Sequence, residues 1–220
     1  IELVAYDEAG NENRFSVNVS VDNTVPVIDI VAPVDNSFVK GAVSVDADII
    51  EVNIASLNVS IDGVLISESM PFEWDSTVYT DGSHSISIYV TDTAGNEASD
   101  SVTVTVDNTL PEVAITSPAN NSALRGIVDI SANVSDTYLA DTTISINGTA
   151  VSNSLGYTWN TSTYPDGWYN ITVTAADMAE NTGRDEIWVE VDNTPPELSV
   201  SELNLYPTIN NSGTESLSNH

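Results

Sequence analysis

Ser101-Val102-Thr103-Val104-Thr105-Val106 alternates polar and apolar side chains at a period of two, the pattern of a strand with one buried and one wet face. Ile86, Ile88 and Val90 keep the same period, as do Ile171, Val173 and Ala175. About seven such runs fit into each stretch of ~85 residues, divided by Asn-Gly, Asp-Gly, Pro and Asn-Ser punctuation. No segment holds a helical period over ~11 residues. The pattern predicts an all-β chain whose short strands build two-sheet sandwiches.

The punctuation itself repeats. A constant offset of 85 carries Asp22-Asn23-Thr24 to Asp107-Asn108-Thr109 and on to Asp192-Asn193-Thr194. The same offset links Pro26, Pro111 and Pro196, then Gly63 with Gly148, Trp74 with Trp159, and Asp81-Gly82 with Asp166-Gly167. Ala9-Gly10-Asn11 maps onto Ala94-Gly95-Asn96 and then onto Ala179-Glu180-Asn181. Self-similarity at a fixed period is the signature of an array. Residues 1–24 read as the end of an upstream copy, 25–109 and 110–194 as two full copies, and 195–220 as the start of a further unit or a disordered tail. The first residues already resemble a strand, so the chain reads as an excerpt of a longer polypeptide.

Charge narrows the function. Thirty-three acidic residues face four basic ones, a formal net charge of −29. Such a surface repels phosphates and anionic headgroups, so neither nucleic acid nor a membrane is an expected partner. No run approaches the ~18 apolar residues of a membrane span. Cysteine is absent, which removes disulfides, cysteine-based zinc sites and thiol catalysis. Sequons occur at Asn18, Asn58, Asn120, Asn133, Asn147, Asn160, Asn170 and Asn210. Composition alone would give about five, so the excess points to an exported, glycosylated chain.

Local details sharpen the sandwich. Asp166-Gly167-Trp168-Tyr169-Asn170-Ile171 sets a tyrosine two residues before an inward strand position, just after a turn, which is the spacing of a tyrosine corner. His84 stands at the Tyr169 position of the first copy and is expected to cap the same corner through a ring nitrogen. Trp74 and Trp159 recur at the repeat offset, as core positions do. Trp188 alternates with inward Ile187 and Val189 and should face solvent, and Trp168 sits in a turn. Their counterparts are Thr103 and Ser83.

Together, Val106-Asp107-Asn108-Thr109-Leu110-Pro111, Ile115-Thr116-Ser117-Pro118-Ala119-Asn120-Asn121-Ser122, Thr91-Asp92-Thr93-Ala94-Gly95-Asn96, Ile61-Asp62-Gly63 and Trp74-Asp75 resemble the bacterial and archaeal Ig-like repeats of large surface proteins. The resemblance covers nearly all of residues 1–200. It implies tandem Ig-like β-sandwiches strung like beads, in an extracellular or cell-surface stalk that supports adhesion or envelope architecture. Implied partners are neighbouring repeats of the same chain, with surface glycans or host and cell-surface ligands for an adhesive variant. Fold does not settle task.

No catalytic signature is present: no nucleophile elbow, phosphate-cradling loop, His-Glu-X-X-His or complete EF-hand loop. The chain is expected not to be an enzyme. Ca²⁺ is the sharper expectation. In an Ig-like sandwich the F–G and B–C loops crowd the end where the chain arrives, so Asp107 and Asn108 should approach Asp177, Glu180 and Asn181. Asp22 and Asn23 should approach Asp92 and Asn96 likewise. Acids of the B–C loop, Asp48 and Glu51 or Asp136 and Asp141, would complete a shell of hard oxygens. Asp-Asn-Thr before Pro is equally good turn chemistry, since Asx side chains bond their own backbone. The rival functional reading is an accessory carbohydrate-binding module of a secreted hydrolase, resting on exposed Trp168 and Trp188.

Overall fold

The computed structural model describes residues 1–197 and the strand segments Tyr206–Ile209 and Glu215–Ser218. The expectation for residues 195–220 therefore falls largely outside the described residues. The chain opens with a hairpin of β1 (Glu2–Tyr6) and β2 (Glu12–Ser16). Leu3 and Phe15 are both 65% exposed there, whereas Ile88, the repeat counterpart of Leu3, is fully buried.

The first sandwich follows, from β3 (Val27–Ala32), β4 (Phe38–Val39), β5 (Ala42–Ile50), β6 (Ile54–Ile61), β7 (Val64–Ser67), β8 (Phe72–Asp75), β9 (Gly82–Asp92) and β10 (Glu97–Val106). One sheet runs β3-β5-β8 and the other β4-β10-β9-β6-β7. The second sandwich repeats this strand for strand with β11 (Glu112–Ser117), β12 (Ala123–Leu124), β13 (Ile127–Ser135), β14 (Leu139–Ile146), β15 (Thr149–Ser152), β16 (Gly156–Asn160), β17 (Gly167–Asp177) and β18 (Thr182–Val191). Its sheets run β11-β13-β16 and β12-β18-β17-β14-β15. The last two segments, β19 (Tyr206–Ile209) and β20 (Glu215–Ser218), pair antiparallel.

Period-two patterning decides which atoms meet. Ile86, Ile88 and Val90 of β9 and Val102, Val104 and Val106 of β10 point between the sheets, none more than 8% exposed. They pack on Val43 and Val45 of β5 and Trp74 of β8. Ile171, Val173, Ile187, Val189 and Trp159 do the same in the second copy. The hairpin β6–β7 turns through Asp62 and Gly63 at φ 51° and 78°, and β14–β15 through Asn147 and Gly148 at 48° and 77°. Two successive left-handed residues form the turn that matches strand twist, which is why the sequence places Asp-Gly and Asn-Gly there. Each sandwich splits its first strand in two. After β3 the chain passes Pro33, which has no N–H for a ladder, and β4 joins the opposite sheet parallel to β10.

The corner expectation is met in both copies. Tyr169 Oη donates to the Pro165 carbonyl at 2.9 Å, and His84 Nε2 donates to the Thr80 carbonyl at 2.8 Å. Both corners pack edge-on to the core tryptophan of their own sandwich, Trp159 or Trp74.

Candidate functional site

The linker between the sandwiches is short, and its placement follows from hydrogen bonds on both sides. Asn108 turns back into its own sandwich: its side-chain oxygen accepts from Gly41 N–H at 2.9 Å and its amide donates to the Ser76 carbonyl at 3.2 Å. Asp81 accepts from the Asn108 N–H at 2.9 Å and from the Thr109 hydroxyl. On the far side, Gly183 lies under Pro111 so closely that a Cβ would stand 1.9 Å from the Pro111 carbonyl oxygen. The edge of the Phe38 ring meets Tyr138 of the next sandwich, with centroids 5.1 Å apart.

This anchoring brings Asp107 against two loops of the second sandwich. One carboxylate oxygen each from Asp107, Asp136 and Asp177 lies within 4.8 Å of the others. Asp107 and Asp177 are buried, and Asp136 is half-buried. Asp136, in the turn leaving β13, accepts from the Tyr138 N–H at 2.7 Å. Asp177, at the end of β17, accepts from the Asn181 N–H and its amide, both at 2.8 Å. Asp107 spends Oδ1 on the Thr109 N–H, while Oδ2 is buried with no hydrogen-bond partner. Burial pushes the Asp107 carboxyl above its ordinary range, and the charges of Asp177, Asp81 and Asp136 push it further. A buried carboxylate oxygen without a donor, on a side chain clustered with two more carboxylates, is costly unless its charge is compensated. A cleft of roughly 490 Å³ lined by Asp81, Asp107, Glu112, Asp136 and Tyr138 opens beside it.

The first copy has the analogous arrangement. Oxygens of Asp22, Glu51 and Asp92 lie within 4.8 Å of one another, with Asp92 buried and the other two half-buried. Asp92 accepts from the Ala94 and Asn96 N–H groups and from the Asn96 amide. These bonds, the Asn96 side chain foremost, hold its carboxyl below the ordinary range.

Of the residues expected at the junctions, Asp22, Asp92, Asp107 and Asp177 come together as oxygen clusters. Glu51 and Asp136 join them from the B–C loops. Asp48 instead pairs in register with Asp29, and Asp141 with Ala176. The asparagines do other work. Asn96 and Asn181 point their amide hydrogens at the cluster, donating to the carbonyls of Asp22 and Asp107 at 3.2 and 2.9 Å. They are struts that lock the incoming chain to the F–G turn. Asn108 is a fastener inside its own sandwich, and Asn23, its repeat counterpart, is exposed. Glu180, also expected near Asp107, holds a left-handed φ of 65° where Gly95 has 90°. The Phe38–Tyr138 contact has no counterpart in the repeat pattern, because the same offset puts Asn53 and Ala123 at those places. A lone tyrosine in an otherwise polar loop was its signal.

Trp74 and Trp159 are 1% and 0% exposed, as core positions. Trp168 and Trp188 are 51% and 46% exposed on the outer face of the second five-stranded sheet, at adjacent strands where Trp168 faces Glu190 and Trp188 faces Asn170.

Comparison with known proteins agrees with this architecture. The family model described as "Bacterial Ig domain" matches residues 26–88 and again 111–173, and "Bacterial Ig-like domain (group 3)" matches 153–219. No curated protein matches the chain. Among solved structures, the fibronectin(III)-like modules of Clostridium thermocellum CbhA superpose with a TM-score of 0.50 at 16% identity, covering 79% of this chain and 100% of theirs. The eight N-terminal Ig domains of Down Syndrome Cell Adhesion Molecule give 0.51 at 16% identity, over 86% of this chain and 27% of that one. At such identities the likeness is one of fold. The two matches of the family model place their boundaries at corresponding strands of the two sandwiches, and the chain belongs to the bacterial Ig-like domain family.

Proposed function

We propose that this chain is a non-catalytic stalk or spacer segment of a surface-exposed or secreted protein, in which Ca²⁺ bridges each sandwich to the next. The observation that carries the reading is the buried Asp107 carboxylate, whose Oδ2 has no hydrogen-bond partner and which clusters with the carboxylates of Asp136 and Asp177. Hard carboxylate oxygens at this spacing suit Ca²⁺, which takes six to eight oxygen ligands and completes its shell with carbonyls and water. The bridge draws its ligands from the linker and from two loops of the following sandwich. A bound ion therefore couples neighbouring beads and limits their bending, while an empty junction retains mutual repulsion. Adhesion or envelope architecture is the task such a rod serves. No helix among the described residues is long and apolar enough to cross a membrane.

The test is a melt of the whole chain in EDTA, in millimolar CaCl₂ and in equal MgCl₂. A ligand at a hundredfold excess over its Kd adds about 2.7 kcal/mol. For a unit of this size that is a rise of roughly 10 °C or more. The rise should be Ca²⁺-specific, and Asp136→Asn, which keeps the acceptor for Tyr138 N–H, should remove most of it. Equal melts in all three solutions would discard the bridge and leave the clusters as turn chemistry.

The exposed pair Trp168 and Trp188 favours a second reading, an accessory carbohydrate-binding face. Two indoles on one sheet surface among Asn170, Glu190 and Glu186 offer stacking planes edged by hydrogen-bonding groups. Affinity electrophoresis through gels of soluble polysaccharides should retard the native chain and not the Trp168→Ala/Trp188→Ala variant. Equal mobility of the two in every gel removes this reading.

A further inference from the structure

The corner of the first sandwich is built from different chemistry than that of the second. His84 Nδ1 lies 2.7 Å from Asp62 Oδ2, and Nε2 lies 2.8 Å from the Thr80 carbonyl oxygen. A carboxylate and a backbone carbonyl are both acceptors, so each ring nitrogen must carry a proton for both bonds to exist. A neutral imidazole has one N–H and one lone pair, and would turn that lone pair on one of the two oxygens. The ring is 9% exposed, so water does not readily replace the lost bond. In the second sandwich Tyr169 takes the place of His84 and Asn147 that of Asp62. Tyr169 Oη donates to Pro165, Asn147 Oδ1 accepts from Asn170 N–H, and neither bond involves an imidazole or a carboxylate.

We propose that His84, as an imidazolium clamped between Asp62 and Thr80, is a pH-sensitive clasp on the first sandwich and on the linker that leaves it. Thr80 is bonded in sequence to Asp81, and Asp81 holds Asn108 N–H and the Thr109 hydroxyl. The clasp therefore fixes the turn that grips the linker. Among the described residues, the titratable groups facing the ring are Asp62 from the β6–β7 turn and Tyr79 from the segment after β8. β8 and β10 face it with Trp74 and Val104, which carry no charge. Burial works against a charged ring, but the Thr80 carbonyl and the Asp62 carboxylate outweigh it and raise His84 above its ordinary 6.5. Partial burial likewise works against Asp62, and the Ser85 N–H with the imidazolium outweighs it and lowers that carboxyl.

The sign follows from linkage. A histidine raised in the folded state gives its full stabilisation below the unfolded value near 6.5 and loses it as pH rises through the folded value. Stability of the first sandwich should fall across that window, and stability of the second should stay level. The test is made on the whole chain in EDTA, so it is independent of any bound cation. NMR titration of the ring should place the His84 midpoint above 6.5. Hydrogen exchange at the Asn108 amide, corrected for intrinsic rate, should accelerate severalfold through that midpoint, with Asn193 of the second linker as the unchanged control. The swap His84→Tyr/Asp62→Asn rebuilds the second corner in the first sandwich and should abolish the acceleration. A midpoint at or below 6.5 in the native chain, or the same Asn108 response in the swap, overturns the proposal.

Discussion

Trp159→Ala is expected to destabilise the second sandwich by about 3–5 kcal/mol. The indole is fully buried, and its ring meets Tyr164 and Tyr169 edge-on at centroid distances of 5.3 and 5.5 Å. Its Nε1 has no hydrogen-bond partner, so the loss is one of packing and cavity, not of a bond. A small domain is held by only ~5–15 kcal/mol in all, and truncation of this side chain consumes a large part of that. It also removes the wall against which the tyrosine corner closes. Calorimetry should show the second transition moved down by more than about 12 °C, or lost, with the first transition in place. Trp74→Ala should give the mirror result. A shift corresponding to less than about 1 kcal/mol would mean that the indole is not the centre of the core.

That such a residue could be named from the sequence is owed to the repeat. Constancy at an offset of 85 marks positions that both sandwiches need, and it marked Trp74 and Trp159 together with the Asp-Gly and Asn-Gly turns. Period-two alternation then assigned the faces, including outward Trp188. Three features were less legible, each for a physical reason. An asparagine offers both a carbonyl and an amide, and the sequence does not say which faces a carboxylate. In the structure Asn181 presents its hydrogens, so it braces Asp177 and Asp107 and supplies no oxygen there. The sequence offered Asp136 and Asp141 together, and that only Asp136 joins the cluster turns on where β13 ends and on the register irregularity between Leu139 and Asp141, which pattern alone does not resolve. A departure from the repeat such as Phe38 against Tyr138 carries what distinguishes one copy from the other, and a search for sameness passes over it.

Asp107→Asn separates the two meanings of the junction most sharply, because it should change stability in opposite directions with and without Ca²⁺. Two like charges about 4 Å apart near a protein surface repel by roughly 4 kcal/mol before relaxation and screening. Asp107 meets two such neighbours from a buried position. The amide keeps an oxygen for the Thr109 N–H, puts an N–H₂ where the unpartnered Oδ2 was, and removes one negative charge from the cluster with Asp136 and Asp177. In EDTA the variant should therefore melt higher than the native chain, by on the order of 1–2 kcal/mol of stability once water and salt have reduced the repulsion. In saturating Ca²⁺ the order should reverse. The native chain gains the binding energy of the ion, and the variant, one charge and one ligand poorer, gains little. Asp177→Ala is a poorer probe, since it also strips the F–G turn of the bonds from Asn181. Crossing of the two melting curves with Ca²⁺ is the outcome a junction ion requires. A variant that is less stable in both solutions would mean that Asp107 serves the linker only through its turn. A variant more stable in both would mean that the acid cluster is repulsion left uncompensated.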